Sequence, residues 1–471
     1  MSVDLPTPDA PVLSTMHQDG SRRWLYPRVS PGRFLTRRRL VAYGLIAVFT
    51  LLPYLQINGK PTILLDIPAR EFTLFGFTFL PTDTLLLALF VVSMIVGIFL
   101  ITALFGRVWC GWMCPQTVYL EFVYRPIERL FMGQPGHHHS PGTKGTALRK
   151  LLMYVCYLLI SMFLAHTFLA YFVGVDNLAK WVRSSPIEHP AAFFIMAAVT
   201  GAMMFDFSFF REQTCIVACP YGRFQSVMLD RDSLIVSYDL SRGEPRGRGK
   251  RQRPDGSTLG DCIDCGNCVD TCPTGIDIRN GLQLECIACT QCIDACDQVM
   301  DKLHKPRGLI RISSQANIEG QKGRFLRPRV VIYPAIMAVL LSGFLFVLMG
   351  KQSADVTLLR GLGRTYLELT PGEISNRVEV EIKNRTKEDR EYLISVVDPQ
   401  QATLSSTENS VSVAAGQAET ADVIVTAPKK LFRDAKCHVT LRIADGQEYS
   451  KDVGWLMLGP YSTKPETSGS D

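Results

Sequence analysis

Long apolar segments alternate with short basic segments over the first 350 residues of the chain. Five of them reach the length of about 20 residues that a helix needs to cross a hydrocarbon core about 30 Å thick. The segment 84–105 contains no charged residue, which argues against a buried helix of a soluble protein. The pattern therefore predicts five transmembrane helices, at residues 40–58, 84–105, 151–173, 191–210 and 330–349.

Beyond the last apolar segment, the pattern changes from the period of a helix to that of a strand. Residues 378–382, 410–413 and 423–425 alternate between apolar and polar side chains, and turn sequences such as Asp445-Gly446 separate such runs. About 100 residues of short strands are typical of an immunoglobulin-like β-sandwich. The disulfide of antibody domains is not expected, since Cys437 is the only cysteine of this segment.

Arginine and lysine are concentrated in alternate loops between the apolar segments. By the positive-inside rule, the N-terminus and residues 211–329 are predicted to be cytoplasmic, and the chain after about residue 350 is predicted to lie outside. The net charge of +6 is less informative than this distribution. The basic residues that carry the prediction are Arg33, Arg37, Arg38, Arg39, Arg107, Arg125, Arg129, Lys144, Arg149, Lys150, Arg211, Arg223, Arg231, Arg324, Arg327 and Arg329.

Composition excludes several classes of protein. Fourteen cysteines in 471 residues are too few for a secreted disulfide scaffold, and 10% aromatic residues exclude a charged disordered chain. The basic run 242–253 lacks the interleaved aromatic residues of a nucleic-acid site, so we expect no nucleic-acid partner. It is better interpreted as a flexible linker close to anionic lipid.

Eight cysteines lie within 35 residues and repeat the spacing C-x2-C-x2-C-x3-C of bacterial ferredoxins. In that arrangement the fourth cysteine of each run binds the cluster of the other run. Zinc is the alternative, but this spacing is not typical of zinc sites, and disulfides are disfavoured in a reducing cytosol. The second run lacks the usual proline, because Asp297 follows its last cysteine. We expect one 4Fe–4S cluster on Cys262, Cys265, Cys268 and Cys296 and a second on Cys286, Cys289, Cys292 and Cys272.

Two C-x3-C-P motifs follow the second and fourth apolar segments, at Cys110 and Cys114 and at Cys215 and Cys219. Thiols at positions i and i+4 share one face of an α-helix, so each pair is predicted to chelate a soft metal. Soft sulfur ligands favour Cu(I), zinc or an iron–sulfur centre. The alternative is that these are buried packing thiols at helix ends. We treat the four cysteines as a candidate copper and redox site.

Histidines give a weaker signal. His137, His138 and His139 are adjacent and would bind copper or zinc loosely, although an ordinary solvated loop is an equal interpretation. His166 and His189 lie in or beside apolar segments, where a polar helix contact is the simpler interpretation than a metal or haem site.

With these motifs assembled, the chain resembles the CcoG/FixG/RdxA family of cytochrome c oxidase accessory proteins, which are polyferredoxin-type membrane proteins. The resemblance rests on Trp109-Cys-Gly-Trp-Met-Cys-Pro115, on Cys215-Ile-Val-Ala-Cys-Pro-Tyr-Gly-Arg-Phe-Gln225 and on the double ferredoxin run. It implies a multi-pass protein of a bacterial inner membrane that supports maturation of a cbb-type oxidase. It also implies reduction of Cu(II) to Cu(I), which would make the chain a cupric reductase.

The partners that the resemblance implies are copper ions, oxidase subunits or copper chaperones, and either a cytoplasmic electron donor or quinol. Two other functions stay open. One is an electron conduit between the quinol pool and a redox partner, as in the NapH/NosR-like group. The other is a non-catalytic oxidase assembly factor or redox sensor.

The predicted fold is a multi-domain membrane protein. It combines an α-helical transmembrane bundle, an α+β ferredoxin insert with two clusters, and an all-β sandwich at the C-terminus. The predicted order is a cytoplasmic tail (1–39), four transmembrane helices with the C-x3-C-P motifs (40–210, the second motif extending to 220), the cytoplasmic ferredoxin domain (211–329), a fifth transmembrane helix (330–349), the periplasmic sandwich (355–460) and a disordered tail (461–471).

Overall fold

A computed structural model describes most of the chain between residues 13 and 460. The chain divides into two compact units, Met1–Leu345 and Phe346–Asp471, each described here by itself. The predicted disordered tail and much of the basic run lie outside the described residues. The gaps within the described part are 18, 58–59, 69–70, 76, 80–82, 143, 223–224, 226–228, 230, 248–258, 319, 322–327, 351, 362, 371, 387, 406–409 and 448.

The first unit is mainly helical. Its helices are α1 (Arg33–Leu51), α2 (Thr84–Phe105), α3 (Pro115–Tyr119), α4 (Arg125–Met132), α5 (Ala147–Val173), α6 (Val175–Trp181), α7 (Pro190–Phe205), α8 (Leu240–Gly243), α9 (Asn267–Asp270), α10 (Gln291–Lys302), α11 (Gln315–Ile318) and α12 (Pro328–Met349).

Four helices in the described part of the chain are long and apolar enough to cross a membrane. They are Thr84–Phe105, Ala147–Val173, Pro190–Phe210 and Pro328–Met349, with mean hydropathies of 2.9, 1.9, 1.7 and 2.5. They coincide with four of the five predicted spans, so the chain is a membrane protein. At the first predicted span the helix is α1, which begins and ends earlier than 40–58 and has four arginines in its first turns. The first predicted span, 40–58, stays a prediction.

Short strands complete the first unit. β1 (Gln56–Ile57) pairs with β2 (Lys60–Pro61), and β3 (Ile63–Asp66), β4 (Glu71–Leu74) and β5 (Phe77–Phe79) form a three-stranded antiparallel sheet. β6 (Ile235–Tyr238) and β7 (Ile310–Ser313) pair antiparallel around the ferredoxin-type cysteines.

The ferredoxin segment caps the N-terminus of helix α1. Asp294 of α10 accepts hydrogen bonds from the backbone N–H groups of Phe34 (3.2 Å) and Leu35 (2.7 Å), and its side chain is buried. A carboxylate at this position satisfies free helix donors and complements the helix dipole. Gly32 is required beside it, because a Cβ there would lie 2.3 Å from the Asp294 Cγ.

The second unit is an antiparallel β-sandwich. One sheet has the strand order β12–β14–β10–β8, with β9 also paired to β10, and the other has the order β13–β11–β15–β16. The core between the sheets contains Val378, Val380 and Ile382, all fully buried on alternate positions of β10, and the thiol of Cys437. The strands are β8 (Ala354–Arg360), β9 (Leu367–Thr370), β10 (Glu373–Asn384), β11 (Arg390–Asp398), β12 (Thr403–Ser405), β13 (Ser410–Val413), β14 (Ala418–Pro428), β15 (Lys436–Ala444) and β16 (Ser450–Leu458).

Candidate metal centres

The structure gathers the eight ferredoxin-type cysteines around two adjacent cavities. The first cavity is bounded by Tyr238, Arg279 and four cysteines, and the second by Thr274, Ile287 and the other four, with Cys268 on its edge. The cysteines divide as Cys262, Cys265, Cys268 and Cys296 in set 1, and Cys272, Cys286, Cys289 and Cys292 in set 2.

The two cysteine runs have the same loop conformation. The second and fourth residues after the first cysteine have positive φ in both, at Asp264 (52°) and Gly266 (73°) and again at Ala288 (51°) and Thr290 (64°). Non-glycine residues seldom adopt this region, so its recurrence marks one required loop shape. The Thr290 hydroxyl stabilises the second loop by donating to the Cys289 carbonyl at 2.6 Å.

The residues of both sets fit 4Fe–4S clusters. Backbone N–H groups face the sulfurs, with those of Thr274, Gly275 and Ile276 directed at Cys272 and that of Gln291 at Cys289. Such N–H groups stabilise the negative charge of cluster sulfurs. In the ranges that the structure describes, no three His, Cys, Asp or Glu side chains converge on one metal ion. A cubane does not require such convergence, because each cysteine binds a different iron.

Both C-x3-C-P motifs fold in the same way, but not as the expected α-helical turn. Trp109–Met113 and Thr214–Ala218 are π-helical, and the N–H groups of Cys114 and Cys219 bond to the carbonyl five positions earlier at 2.9 and 2.8 Å. Both of these cysteines are extended, with ψ of 126° and 110°. The following proline explains this, because it disfavours helical backbone at the residue before it.

The four thiols of the C-x3-C-P motifs, Cys110, Cys114, Cys215 and Cys219, are close neighbours and are called the membrane-side cysteines below. Burial raises the pKa of the Cys110 thiol to about 12, and the nearby Cys114 and Cys219 raise it further while Arg107 lowers it. Burial likewise raises the pKa of Cys215, with added contributions from the other three thiols. A metal that binds Cys110 or Cys215 would therefore have to displace the thiol proton.

The first C-x3-C-P motif touches the set 2 loop directly. A Cβ on Gly111 would lie 2.5 Å from the Ile287 carbonyl oxygen and 2.9 Å from the Cys289 nitrogen, so only glycine permits this approach. The Gly111 carbonyl accepts a 3.0 Å hydrogen bond from Nε of Arg38, whose side chain is 1% exposed.

Arg107 joins both motifs to set 2. Its guanidinium donates to the carbonyls of Leu284 and Cys286 (2.9 Å to the latter) and to that of Gly222. It also contacts Gln225 Oε1 at 3.5 Å, and the same oxygen accepts a 2.9 Å hydrogen bond from the Cys110 thiol. The roles of Arg38, Arg107 and Gln225 were not predicted from the sequence, where the two arginines indicated only topology.

The predicted histidine loop packs against the ferredoxin segment. His137 Nδ1 lies 2.6 Å from a carboxylate oxygen of Asp270, and His139 is buried, while the side chain of His138 lies outside the described residues. The described side chains of this loop do not form a three-ligand metal site. His166 bonds to the carbonyl of Met162 in its own helix.

A large apolar cavity of about 1050 Å³ lies among the membrane helices and ends beside the first C-x3-C-P motif. Aliphatic and aromatic side chains form most of its wall, including Phe49, Phe90 and Phe168. Gln116 and Asp206 are the polar residues beside the motif.

The chain matches three family models. A 4Fe-4S dicluster domain matches residues 210–315, a 4Fe-4S binding domain matches 87–132, and the IG-like fold at the C-terminus of FixG matches 344–453. The predicted iron–sulfur and immunoglobulin-like domains are thus confirmed. The second match includes Cys110 and Cys114.

Curated relatives match over most of the chain. Protein RdxB of Cereibacter sphaeroides is 33% identical over 84% of this chain and 86% of its own length. Protein RdxA of the same organism is 31% identical over 79% and 82%. Nitrogen fixation protein FixG of Rhizobium meliloti is 28% identical over 92% of both chains.

Proposed function

The chain belongs to the family of RdxA, RdxB and FixG proteins, and on this premise we propose that it reduces Cu(II) to Cu(I) for the maturation of a cbb-type cytochrome c oxidase. The observation that carries the proposal is the contact of the first C-x3-C-P motif with the set 2 loop at Gly111. This contact puts a cluster of soft thiol ligands directly beside a cysteine set that fits a 4Fe–4S cluster.

Set 1 and set 2 would each hold one 4Fe–4S cluster. When bound, these clusters supply single electrons, whereas thiols alone would reduce Cu(II) only by forming disulfides. The substrate step is Cu²⁺ + e⁻ → Cu⁺, with no bond made or broken in the protein. The copper site consists of Cys110, Cys114, Cys215 and Cys219.

The protein's own residues prepare this site for copper. Thiol ligands prefer Cu(I) to harder ions, so the site stabilises the product oxidation state. Oε1 of Gln225 orients the Cys110 thiol by accepting a hydrogen bond from it. Metal binding would release the protons of these thiols, whose pKa values burial raises.

The distribution of basic residues supports the proposed orientation in a bacterial inner membrane. The N-terminus and the ferredoxin segment would be cytoplasmic, within reach of a cytoplasmic electron donor, and the sandwich would be periplasmic. The sandwich would then be the surface that meets oxidase subunits or copper chaperones.

The test is a Cys110→Ser/Cys215→Ser double variant of the purified protein. It should retain the EPR signals of reduced 4Fe–4S clusters and lose Cu(II) reduction, measured with a Cu(I)-specific chelator. Cys156→Ser is the matched control, since Cys156 lies within helix α5 and outside both motifs. Unchanged reduction in the double variant would show that copper is not reduced at these cysteines.

An iron–sulfur centre is the competing occupant of the membrane-side cysteines, because the 4Fe-4S binding model covers the first motif. Metal analysis separates the two assignments. Two 4Fe–4S clusters require about eight iron atoms per chain. Iron above that number, lost in the double variant, would replace copper by iron at this site.

The apolar cavity favours a second candidate, in which quinol supplies the electrons. Its wall suits an isoprenoid chain, and Gln116 and Asp206 at the motif end would meet a polar headgroup. Reduction of the iron–sulfur signals by a short-chain quinol in liposomes would support this entry route. Ala202→Phe, which fills the cavity, should abolish it without changing reduction by dithionite.

A further inference from the structure

Two buried arginines flank set 2 without a carboxylate partner in the described part of the chain. Arg38 donates from Nε to the Gly111 carbonyl, its Nη2 has no hydrogen-bond partner, and its charge acts on Cys289. Arg107 is 7% exposed and donates to the Cys286 carbonyl at 2.9 Å. Both guanidinium groups bond to neutral oxygens only, so their positive charges are not cancelled locally.

Set 1 has no such excess of positive charge. Arg279 lies beside this cavity, but it forms ion pairs with Asp277 (2.7 Å) and Asp264. Asp297 directly follows the set 1 ligand Cys296, and its ion pair with the exposed Arg33 is long, at 3.7 Å. Asp261, directly before the set 1 ligand Cys262, is paired with both Arg242 (2.6 Å) and Lys305 (3.2 Å). In the described part of the chain the charges around set 1 therefore sum to about zero, and each of these cations is paired with a carboxylate.

Carboxylates near set 2 do not reverse this difference. Glu285 is half-buried and adds negative charge beside Cys286. Asp294, two residues after Cys292, is already bound by two N–H groups at the N-terminus of α1. Asp270, two residues before Cys272, is buried and lies 2.6 Å from His137 Nδ1. In the described part of the chain no ion pair joins these carboxylates to Arg38 or Arg107.

Reduction of a 4Fe–4S cluster adds one negative charge, so nearby positive charge favours the reduced form. In a buried site this effect is much less screened than in water. We propose that Arg38 and Arg107 raise the reduction potential of the set 2 cluster above that of the set 1 cluster. An electron shared between the two sites then resides beside the membrane-side cysteines. Burial alone disfavours the added charge, so the arginines are required for this order.

This inference rests on the cluster assignment in the proposed function, and not on copper. The test is an EPR-monitored redox titration of the full-length protein in detergent. Cys265→Ser and Cys289→Ser assign the two signals, since each alters one set. In the wild type, the set 2 signal should appear at the higher potential. A set 2 potential equal to or below that of set 1 overturns the proposal.

Arg38→Gln and Arg107→Gln should each shift the set 2 midpoint potential downward and leave set 1 nearly unchanged. Arg37→Gln is the matched control, because it removes an exposed arginine from the same helix and should shift neither potential. Arg38→Lys keeps the charge and should keep the potential, which separates charge from packing. Equal shifts in Arg38→Gln and Arg38→Lys contradict the proposal. If the glutamine variants lose a cluster, the order of the wild-type potentials decides the outcome.

Loss of Cu(II) reduction in the membrane cysteine variants with unchanged potentials would support the copper site independently of this inference. Correct potentials with no copper reduction in the wild type would leave the arginine effect standing and reject the proposed function.

Discussion

The C-terminal sandwich has a buried interior, and so does the junction, by which we mean the contact of the ferredoxin segment with the residues around Arg38, Arg107, Arg125 and Glu212. Different contacts stabilise the two regions. The sandwich packs apolar side chains such as Val378 and Ile382 between two sheets. The junction buries charged side chains, with Arg125 and Glu212 each 2% exposed. Apolar cores mainly supply stability, whereas buried ion pairs contribute little net stability and are costly to break. The difference indicates that the buried charges of the junction mainly hold the C-x3-C-P motifs in place against the ferredoxin segment.

The largest effect is expected where the junction loses one carboxylate. Glu212 forms ion pairs with Arg22 (3.2 Å), Arg125 (3.1 Å) and Arg211 (3.6 Å). Glu212→Ala removes the carboxylate that these three arginines share: Arg22 loses the only carboxylate it contacts in the described part of the chain, while Arg125 and Arg211 keep Glu121 and Glu128. The free energy of unfolding should therefore fall by about 3–5 kcal/mol. Denaturant unfolding in detergent measures this change. Glu188→Ala, at an exposed position, should be near neutral, and equal losses would refute the distinction.

The sandwich contains the carboxylate of Asp445, whose side chain is 1% exposed, and pH tests its contribution to stability. Burial raises the pKa of Asp445, but hydrogen bonds from the Gln447 and Tyr449 N–H groups and from Arg390 outweigh burial and lower it. An unfolded Asp has a pKa of about 3.9, so the stabilisation is present above that pH and is lost as pH falls through the lower folded value.

Asp445→Asn should therefore cost about 1.5–3 kcal/mol at pH 7, as expected for a hydrogen-bonded charge. The cost should vanish in strong acid, because the wild-type carboxyl is then protonated too. Thermal melting followed by tryptophan fluorescence, at pH 7 and in acid, measures this cost. A cost that is the same at both pH values would assign the effect to packing.

A single methyl group in the sandwich core should have a smaller effect. Ile382 is fully buried, so Ile382→Val should lower the free energy of unfolding by about 0.5–1.5 kcal/mol. Ile424→Val deletes the same group from an exposed position in the same sheet and should change almost nothing. Equal effects would mean that the core is not tightly packed.

The smallest effect is expected at an exposed ion pair of the sandwich. Arg442 and Asp452 are bonded at 2.6 Å, but both side chains are nearly half exposed. Water and salt screen such pairs. Arg442→Gln should leave the melting temperature unchanged, in contrast to Glu212→Ala. A clear drop in the melting temperature would show that exposure does not determine how much an ion pair contributes to stability.

The sequence predicts the sandwich and the cysteine sets better than it predicts the junction. Alternation over 378–382 predicts a strand because the two-residue period is local, and β10 contains it. The ferredoxin spacing likewise brings each loop together over a few residues. The junction depends on pairs far apart in the chain, such as Arg38 with Gly111 and Arg107 with Cys286. No local sequence pattern identifies which arginine side chains are buried against the ferredoxin segment.

The C-x3-C-P motifs are predicted less completely than the sandwich but better than the junction. Their spacing indicates that both pairs of thiols lie at helix ends, and the structure brings the four together. The i, i+4 spacing predicts α-helical turns, but the proline after Cys114 and after Cys219 disfavours helical backbone at these cysteines. It also misses Gln225, whose contact with Cys110 spans 115 positions of the chain.

The Asp294 cap on helix α1 has a consequence for the order of synthesis. Asp294 and Phe34 are separated by 260 positions, so the ribosome makes the helix long before it makes the cap. Until the ferredoxin segment has folded, the first turn of α1 lacks its carboxylate acceptor. Helix α1 therefore reaches its final N-terminal conformation only after the part of the ferredoxin segment that contains Asp294 has been added.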